Sequence, residues 1–166
     1  MTQFHDFACA LAAEADQPET TCQGLFRLAD NLIGARLFTL TRVDAGARQV
    51  RRIHTNMPDA YPLSGTKPIG DDPWTRQVLG RHEVFVANDI EAIAEVFFDH
   101  ALIASLGCES AINIPVTVAG QVLGTINCLH AAGHYTPERV ARAESLKLPG
   151  AATFLLTRSE TSRGDL

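Results

Sequence analysis

The chain has 166 residues, of which 46% are apolar, enough for one globular domain with a substantial core. Its net charge of -5 and its pI near 5.6 argue against a surface for nucleic acid or for anionic membranes, because binding to either depends on clustered lysines and arginines. No stretch approaches the roughly 20 apolar residues of a membrane span, and the N-terminus lacks the basic and apolar regions of a secretory signal, so we predict a cytoplasmic protein.

Two amphipathic helices are predicted at the N-terminus. The first lies within residues 1–15, where apolar residues recur three and four positions apart. The second begins near Pro18, runs to Ile33 and ends at Gly34.

A β-hairpin is predicted next. Residues 36–43 and 49–55 alternate between apolar and polar side chains, and residues 44–46 form the turn between them. The basic run over residues 48–52 is expected to be a solvated strand edge.

Residues 56–73 are rich in Pro, Gly and Asp, which favours a long loop. The elements expected there and beyond are, in order, a short strand near 64–68, a short helix from Asp72 to Gly80, a strand over 82–87, and short helices over 89–97 and 99–106. Asp72, Asp89 and Asp99 are each expected to cap the helix that follows.

Residues 108–130 form the most informative segment, two strands joined at Ala119-Gly120. Period two places one set of side chains on a single face of this hairpin: Ala111, Asn113 and Pro115 on the first strand, and Leu123, Thr125, Asn127 and Leu129 on the second. The opposite face is apolar. A sheet covered by helices on one side, with scattered hydrogen-bonding groups on the other, suits a small-molecule cavity.

A last helix is expected from Thr136 toward Ser159, with a kink or break at Pro149-Gly150 and a polar tail over 160–166. The order of elements favours an α+β domain with a largely antiparallel sheet, helices on one face and long loops on the other.

This order resembles that of a GAF domain. The resemblance is carried by Gly-Cys-Glu-Ser-Ala-Ile-Asn-Ile-Pro-Val at 107–116 and Gly-Gln-Val-Leu-Gly-Thr-Ile-Asn at 120–127. The segment from Pro73 to Asp89, a short helix, a glycine, a strand and an aspartate, is also similar to that family. The resemblance covers about residues 18–158 and implies a single domain over residues 1–166.

The resemblance implies a GAF/PAS-like α+β fold, with a central antiparallel sheet of five or six strands. The terminal helices would pack on one face, and loops and short helices would cover a ligand cavity on the other. It further implies a non-catalytic sensory module that binds a small polar metabolite, a homodimer formed through the terminal helices, and a separate output protein. The family binds many kinds of ligand, so the resemblance names no cofactor.

The candidate ligand-binding residues lie on the hairpin and in the loops above it. On the hairpin they are Asn113, Asn127, Thr125 and Ala111, and in the roof they are Trp74, Tyr61, Thr66, Lys67, Phe97 and His100. Two asparagines can orient a polar ligand without a net charge, which is the favoured interpretation; the alternative is that they hydrogen-bond loop backbone. Trp74 could stack on a ligand or fix its short helix to the sheet.

Two other functions stay open. GAF proteins similar to free-methionine-sulfoxide reductases use loop cysteines and acidic residues on the last hairpin. Here Asn127 and Ala111 stand at the acidic positions, and the loops at 56–73 and 88–104 contain no cysteine. The other alternative is an interaction adaptor whose cavity is filled by its own side chains.

The cysteines and histidines give little sign of a metal or redox site. The four cysteines, Cys9, Cys22, Cys108 and Cys128, form no C-x-x-C pair and are expected to be buried hydrophobes. His130 and His134 are four residues apart but span a predicted loop, so no metal site is predicted.

Overall fold

The computed structural model describes residues 2–163, with side chains described as far as Arg158. An antiparallel sheet lies at its centre. The strands are β1 (Leu37–Asp44), β2 (Gln49–Thr55), β3 (Lys67–Pro68), β4 (Phe85–Ala87), β5 (Ser110–Val118) and β6 (Gln121–His130). Their spatial order is β3-β2-β1-β6-β5-β4, which confirms the predicted sheet and pairs the final hairpin with β1. The predicted tail at 160–166 lies outside the described side chains.

Among residues 2–163, the three longest helices lie near the two ends of the chain. The helices are α1 (Thr2–Ala12), α2 (Glu19–Ile33), α3 (Pro73–Thr75), α4 (Ile90–Ala94), α5 (His100–Ser105), α6 (Pro137–Ala143) and α7 (Lys147–Arg163). A π-helical turn, Arg76–Gly80, continues α3, and a 3-10 turn, Glu144–Leu146, links α6 to α7. None of the helices in this described part is long and apolar enough to cross a membrane.

The two faces of the sheet carry separate apolar clusters. On one face, side chains of α1, α2, α6 and α7 pack with the apolar face of the final hairpin, for example Leu25 and Phe154 with Ile112 and Ile126. On the other face, Ile93 of α4 and Ile103 of α5 belong to a smaller cluster with sheet residues. The division predicted from the alternating hairpin, helices on one side and short elements on the other, is therefore confirmed.

Two glycines allow α7 to lie close against the sheet. A Cβ on Gly124 of β6 would overlap the ring of Phe154 and the backbone oxygen of Thr41. A Cβ on Gly150 of α7 would come within 2.8 Å of Ile126 and 2.9 Å of Val116. The absence of these two side chains lets helix and strand backbones approach, which fixes the position of the C-terminal helix.

Two β-bulges change the face on which neighbouring side chains lie. In β2, Arg52 pairs with Thr41 but His54 pairs with Leu40, so Ile53 is an extra residue. In β6, Val122 and Gly124 pair with consecutive residues of β5, so Leu123 is the extra one. Both extra residues pack into the helix-side cluster. The prediction that Leu123 shares the polar face is therefore wrong, because a bulge breaks the period of two.

The C-terminal helix is not broken at Pro149-Gly150. The interruption is the 3-10 turn at Glu144–Leu146, and Pro149 lies in the first turn of α7. A proline in the first turn lacks only an N–H that has no intrahelical partner there, so the helix continues through it. The predicted break at this position is wrong for this reason.

Candidate functional site

A cavity of about 250 Å³ lies between the polar face of the sheet and the short elements above it. This volume equals the liquid volume of about eight water molecules. Seven of the predicted residues line it: Asn113, Asn127, Thr125, Trp74, Tyr61, Lys67 and Phe97. The sheet forms its floor, and the loops with α3 and α5 form its roof.

The floor is built from two rows of side chains across three strands. Asn127 of β6 lies between Asn113 of β5 and Thr39 of β1, each directly opposite it in the register. Thr125 is paired in the same way with Thr41 of β1. Because facing residues on neighbouring strands have Cβ atoms about 5 Å apart, these polar side chains are within reach of one another.

A chain of hydrogen bonds joins the roof to this floor. The Trp74 indole Nε1 donates to Asn113 Oδ1 at 2.9 Å, and Asn113 Nδ2 donates to Asn127 Oδ1 at 2.9 Å. Asn127 Nδ2 donates to the hydroxyls of Thr39 and Thr41, both at 3.1 Å. Both asparagines are buried, and these bonds provide the partners that a buried amide requires. The bond from Trp74 also fixes α3 to the sheet.

Thr125 differs from its neighbours. Its side chain is 1% exposed and lines the cavity, yet its hydroxyl makes no hydrogen bond to any side chain or backbone group that the structure describes. A buried hydroxyl without a partner is unfavourable by about 1–3 kcal/mol, less where water can reach it. The floor therefore holds an unused polar group directed at the cavity.

Trp74 is positioned by a helix cap. Asp72 accepts a hydrogen bond from the Thr75 backbone N at 2.8 Å, and Pro73 occupies the first helical position. This is the start predicted from the sequence, and it places the indole one residue into α3. Asp89 likewise caps α4 by accepting from Ala92 N at 2.8 Å, as predicted.

Tyr61 and Asp99 form a polar pair in the roof. The Tyr61 hydroxyl donates to Asp99 Oδ2 at 2.6 Å. Burial, and then the bond to Asp99, raises the pKa of Tyr61, so the phenol stays protonated. Asp99 was expected to cap α5, but its side chain makes no capping bond there. That expectation is wrong because the carboxylate turns to the tyrosine hydroxyl instead.

Two cations lie at the open side of the cavity. The Arg52 guanidinium carbon is 4.0 Å from the centre of the Tyr61 ring, and Arg52 Nη1 donates to the Pro62 carbonyl oxygen at 2.6 Å. The Lys67 Nζ lies 4.5 Å from the centre of the Phe98 ring. The basic run was expected to be a solvated edge. For Arg52 this is wrong, because strand alternation directs that residue into the cavity beside Val50.

Three predicted residues do not line the cavity. Ala111 is fully buried and belongs to the smaller apolar cluster. His100 has its Nδ1 3.1 Å from the Phe97 carbonyl oxygen, at the start of α5. Thr66 is exposed on the loop before β3.

Sequence reasoning also missed several lining residues. Those that carry polar groups are Thr39, Thr41, Ser64, Arg52 and Asp99. The alternation of β1 could have identified the two threonines, since they share a face with Val43. Arg52 follows from the alternation of β2, since it shares a face with Val50, whereas Ser64 and Asp99 depend on loop conformation.

The cysteines lie away from the cavity. Burial raises the pKa of Cys22 to about 12 and also raises the pKa values of Cys108 and Cys128, so these thiols are poor nucleophiles. Cys9 is exposed on α1, which makes the expectation of four buried cysteines wrong for that residue. Within the described residues, no group of three or more side chains could hold a metal ion.

Comparison with known proteins gives matches at the level of family and fold. A family model described as GAF domain matches residues 15–146. A search of curated proteins found no match.

Solved structures resemble the fold across nearly the whole chain. The GAF domain of a two-component sensor histidine kinase from Bacillus halodurans has a TM-score of 0.68 at 12% identity, covering 89% of this chain and 99% of that one. A GAF domain/HD domain protein from Geobacter sulfurreducens has a TM-score of 0.66 at 12% identity, covering 89% and 97%. The chromophore-binding domain of a bacteriophytochrome from R. palustris has a TM-score of 0.63 at 14% identity, covering 98% and 62%. At these identities the likeness concerns the fold alone.

Proposed function

The chain belongs to the GAF domain family, a family of sensory small-molecule-binding domains, and from this premise we propose that it is a non-catalytic sensory module for a small polar metabolite. The observation that carries the proposal is the cavity of about 250 Å³ over the polar face of the final hairpin. The metabolite would lie between Asn113, Thr125 and Asn127 on the floor and Tyr61 and Trp74 in the roof.

The floor favours a ligand with hydrogen-bonding groups. Asn113 and Asn127 are held in place by their neighbours, so they offer their remaining hydrogen-bonding capacity in a fixed geometry. The hydroxyl of Thr125 has no partner among the described residues and is available to a ligand. A wall that combines fixed polar groups with aliphatic and aromatic side chains is typical of small-molecule sites.

An enzymatic function is less well supported. The thiols of Cys22, Cys108 and Cys128 are outside the cavity wall, and burial raises their pKa values. His100 is also absent from that wall. A reaction in the cavity would have to proceed without the residues that the methionine-sulfoxide-reductase hypothesis requires. An adaptor with a self-filled cavity is disfavoured by the open volume itself.

We also propose a homodimer formed through the terminal helices. Exposed apolar side chains lie on α1 and α7: Phe4, Leu11, Leu148 and Leu155. A second copy would cover this surface, and ligand-dependent dimer geometry could reach a separate output protein. A cytoplasmic location and a single domain over residues 1–166 are parts of the same proposal.

A thermal-shift screen of metabolites tests the binding function. Hits should raise the melting temperature of the wild-type protein and fail to do so for Asn127→Leu, which removes the central amide of the floor. Asn31→Leu, at an exposed position of α2, is the matched control and should retain the response to the hits. If Asn127→Leu leaves every hit unaffected, the metabolite binds elsewhere.

Native mass spectrometry of freshly purified protein tests the dimer and the retained ligand together. We expect a dimer whose mass includes a small molecule, and Leu148→Glu should shift the protein toward the monomer. A wild-type protein that remains monomeric at all concentrations would contradict the proposed dimer.

A further inference from the structure

The direction of the hydrogen bonds in the cavity floor is determined by Trp74. An indole N–H can only donate, so the atom of Asn113 that faces it must be the amide oxygen. Asn113 then presents its amide nitrogen to Asn127, and Asn127 presents its own nitrogen to the threonines. If either amide were flipped, two donors or two acceptors would face each other at hydrogen-bonding distance.

This direction makes the floor rich in donors. Both N–H groups of Asn127 are used, and the hydroxyl oxygens of Thr39 and Thr41 accept them. The hydroxyl protons of these two threonines find no acceptor in the described part of the chain. Asn113 retains a second N–H, and the Thr125 hydroxyl is unbonded. A ligand that carries acceptor oxygens therefore matches the floor better than a ligand rich in donors.

The charged groups around the cavity also favour a ligand that carries acceptor oxygens. Arg52 and Lys67 line it as cations, and neither forms an ion pair with any carboxylate among residues 2–158. Asp99 is the one carboxylate in the wall, and it already accepts the hydroxyl of Tyr61. The guanidinium of Arg52 keeps N–H groups beyond the one that contacts Pro62. The positive charge is thus left without a carboxylate partner among residues 2–158.

The rest of the wall limits the shape of the ligand. It is formed by aliphatic and aromatic side chains: Val43, Val50, Val96, Phe97, Ile103 and Leu129. An apolar or aromatic body would bury against these residues, while a sugar or polyol would lose hydrogen bonds to water there. The cavity volume of about 250 Å³ restricts that body to a compact one.

We propose that this cavity selects a small carboxylic acid with an aromatic or apolar body over its neutral and cationic analogues. The carboxylate lies against Arg52 and Lys67, and the body lies between the aliphatic wall and the ring of Trp74. The inference rests on the proposed function, since it assigns the ligand class of the same cavity.

Three probes with one ring and different charges test this selection: benzoate, benzamide and benzylamine. Trp74 is the single tryptophan of the sequence and lines the cavity, so its fluorescence reports binding there. We expect benzoate to bind at least tenfold more tightly than benzamide, and benzylamine to bind most weakly. Arg52→Gln and Lys67→Gln should each reduce the preference for benzoate over benzamide to threefold or less.

Arg51→Gln is the matched control, because Arg51 is exposed and adjacent to Arg52 on the same strand. It should leave the preference for benzoate unchanged. Lys67 is exposed, so its replacement tests the charge even if Arg52→Gln unfolds the protein. Equal binding of benzoate and benzamide, or tighter binding of benzylamine, would overturn the anion selection while leaving cavity binding intact. Saturable binding of none of the three probes, together with a blank metabolite screen, would overturn the anion selection and the proposed function together.

Discussion

The unbonded hydroxyl of Thr125 leads to a prediction in which stability and binding change in opposite directions. Thr125→Val replaces the hydroxyl by a methyl group of similar size, so the packing of the floor is retained. The Thr125 residue is 1% exposed, and its hydroxyl, which faces the cavity, makes no hydrogen bond within the described residues. Burying it without a partner costs about 1–3 kcal/mol, and the lower end applies because the cavity admits water. We therefore expect the variant without ligand to be more stable by about 1 kcal/mol.

Urea unfolding and calorimetry measure this change. For a chain of this size, about 1 kcal/mol corresponds to a rise of roughly 2–4 °C in melting temperature. Benzoate, followed through Trp74 fluorescence, should bind the variant about two- to tenfold more weakly, the effect of one lost hydrogen bond of about 0.5–1.5 kcal/mol.

Thr153→Val is the matched control. Thr153 is also fully buried, but its hydroxyl donates to the Pro149 carbonyl oxygen at 2.9 Å. Its replacement should destabilise the protein by about 1 kcal/mol and leave benzoate binding unchanged. If Thr125→Val destabilises the protein as much as Thr153→Val does, the hydroxyl of Thr125 has a partner and the reasoning is refuted.

Three further predictions concern packing, pH and thiol reactivity. Gly124→Ala should lower the free energy of unfolding by about 3 kcal/mol, because its Cβ would overlap Phe154 and a backbone oxygen. Gly65→Ala is the control: no atom lies within 4 Å of its Cβ, so the free energy of unfolding should change by less than about 1 kcal/mol. Urea unfolding measures both. Equal effects of the two replacements would contradict the close contact of α7. Burial lowers the pKa values of three histidines, His54, His130 and His134, below 6.5. The unfolded chain therefore binds more protons near that value, so their contribution to stability is present above pH 6.5 and is lost as the pH falls through the lower folded pKa values. Melting temperatures from pH 7.5 to 5.5 check this, and a flat profile would argue against it. Cys9 is exposed, so a thiol reagent should modify one cysteine of the native protein and all four only in urea, as counted by mass spectrometry. Rapid labelling of a second cysteine in the native state would show that the helix-side core opens readily.

Much of the fold could be predicted because local patterns and tertiary structure agree. The alternation of β5 and β6 places Asn113 opposite Asn127, and the register of the hairpin confirms it. Asp72 followed by proline predicts the start of α3, and the structure has the expected cap. These features depend on neighbours in sequence, so a pattern of a few residues contains the necessary information.

The wrong predictions, those for Leu123, Asp99 and Arg52, have other causes. Leu123 lies on the helix side because a bulge inserts one residue into β6, and a bulge has no clear signature in the alternation. Asp99 contacts Tyr61, 38 residues away along the chain, although its position at a helix start is typical of a cap. Arg52 belongs to a basic run that suggests a solvated edge, yet it lines the cavity. The bulge and the distant tyrosine override the local preference of Leu123 and Asp99, whereas Arg52 follows the alternation of β2, which places it on the same face as Val50.

The sequence by itself determined the order of the elements and the amide-bearing face of the last hairpin, which follow from periodicity and short local signals. It also determined the family, through the resemblance of its motifs to those of GAF domains. Only the tertiary structure decided how those side chains are used. The indole of Trp74 reaches Asn113 across 39 positions and so gives the buried network its direction. The pairing of the strands and the folded loops then decide which charges surround the cavity. The physical reason is that a hydrogen bond or a buried charge depends on atoms within a few ångströms, and folding alone brings such distant residues together.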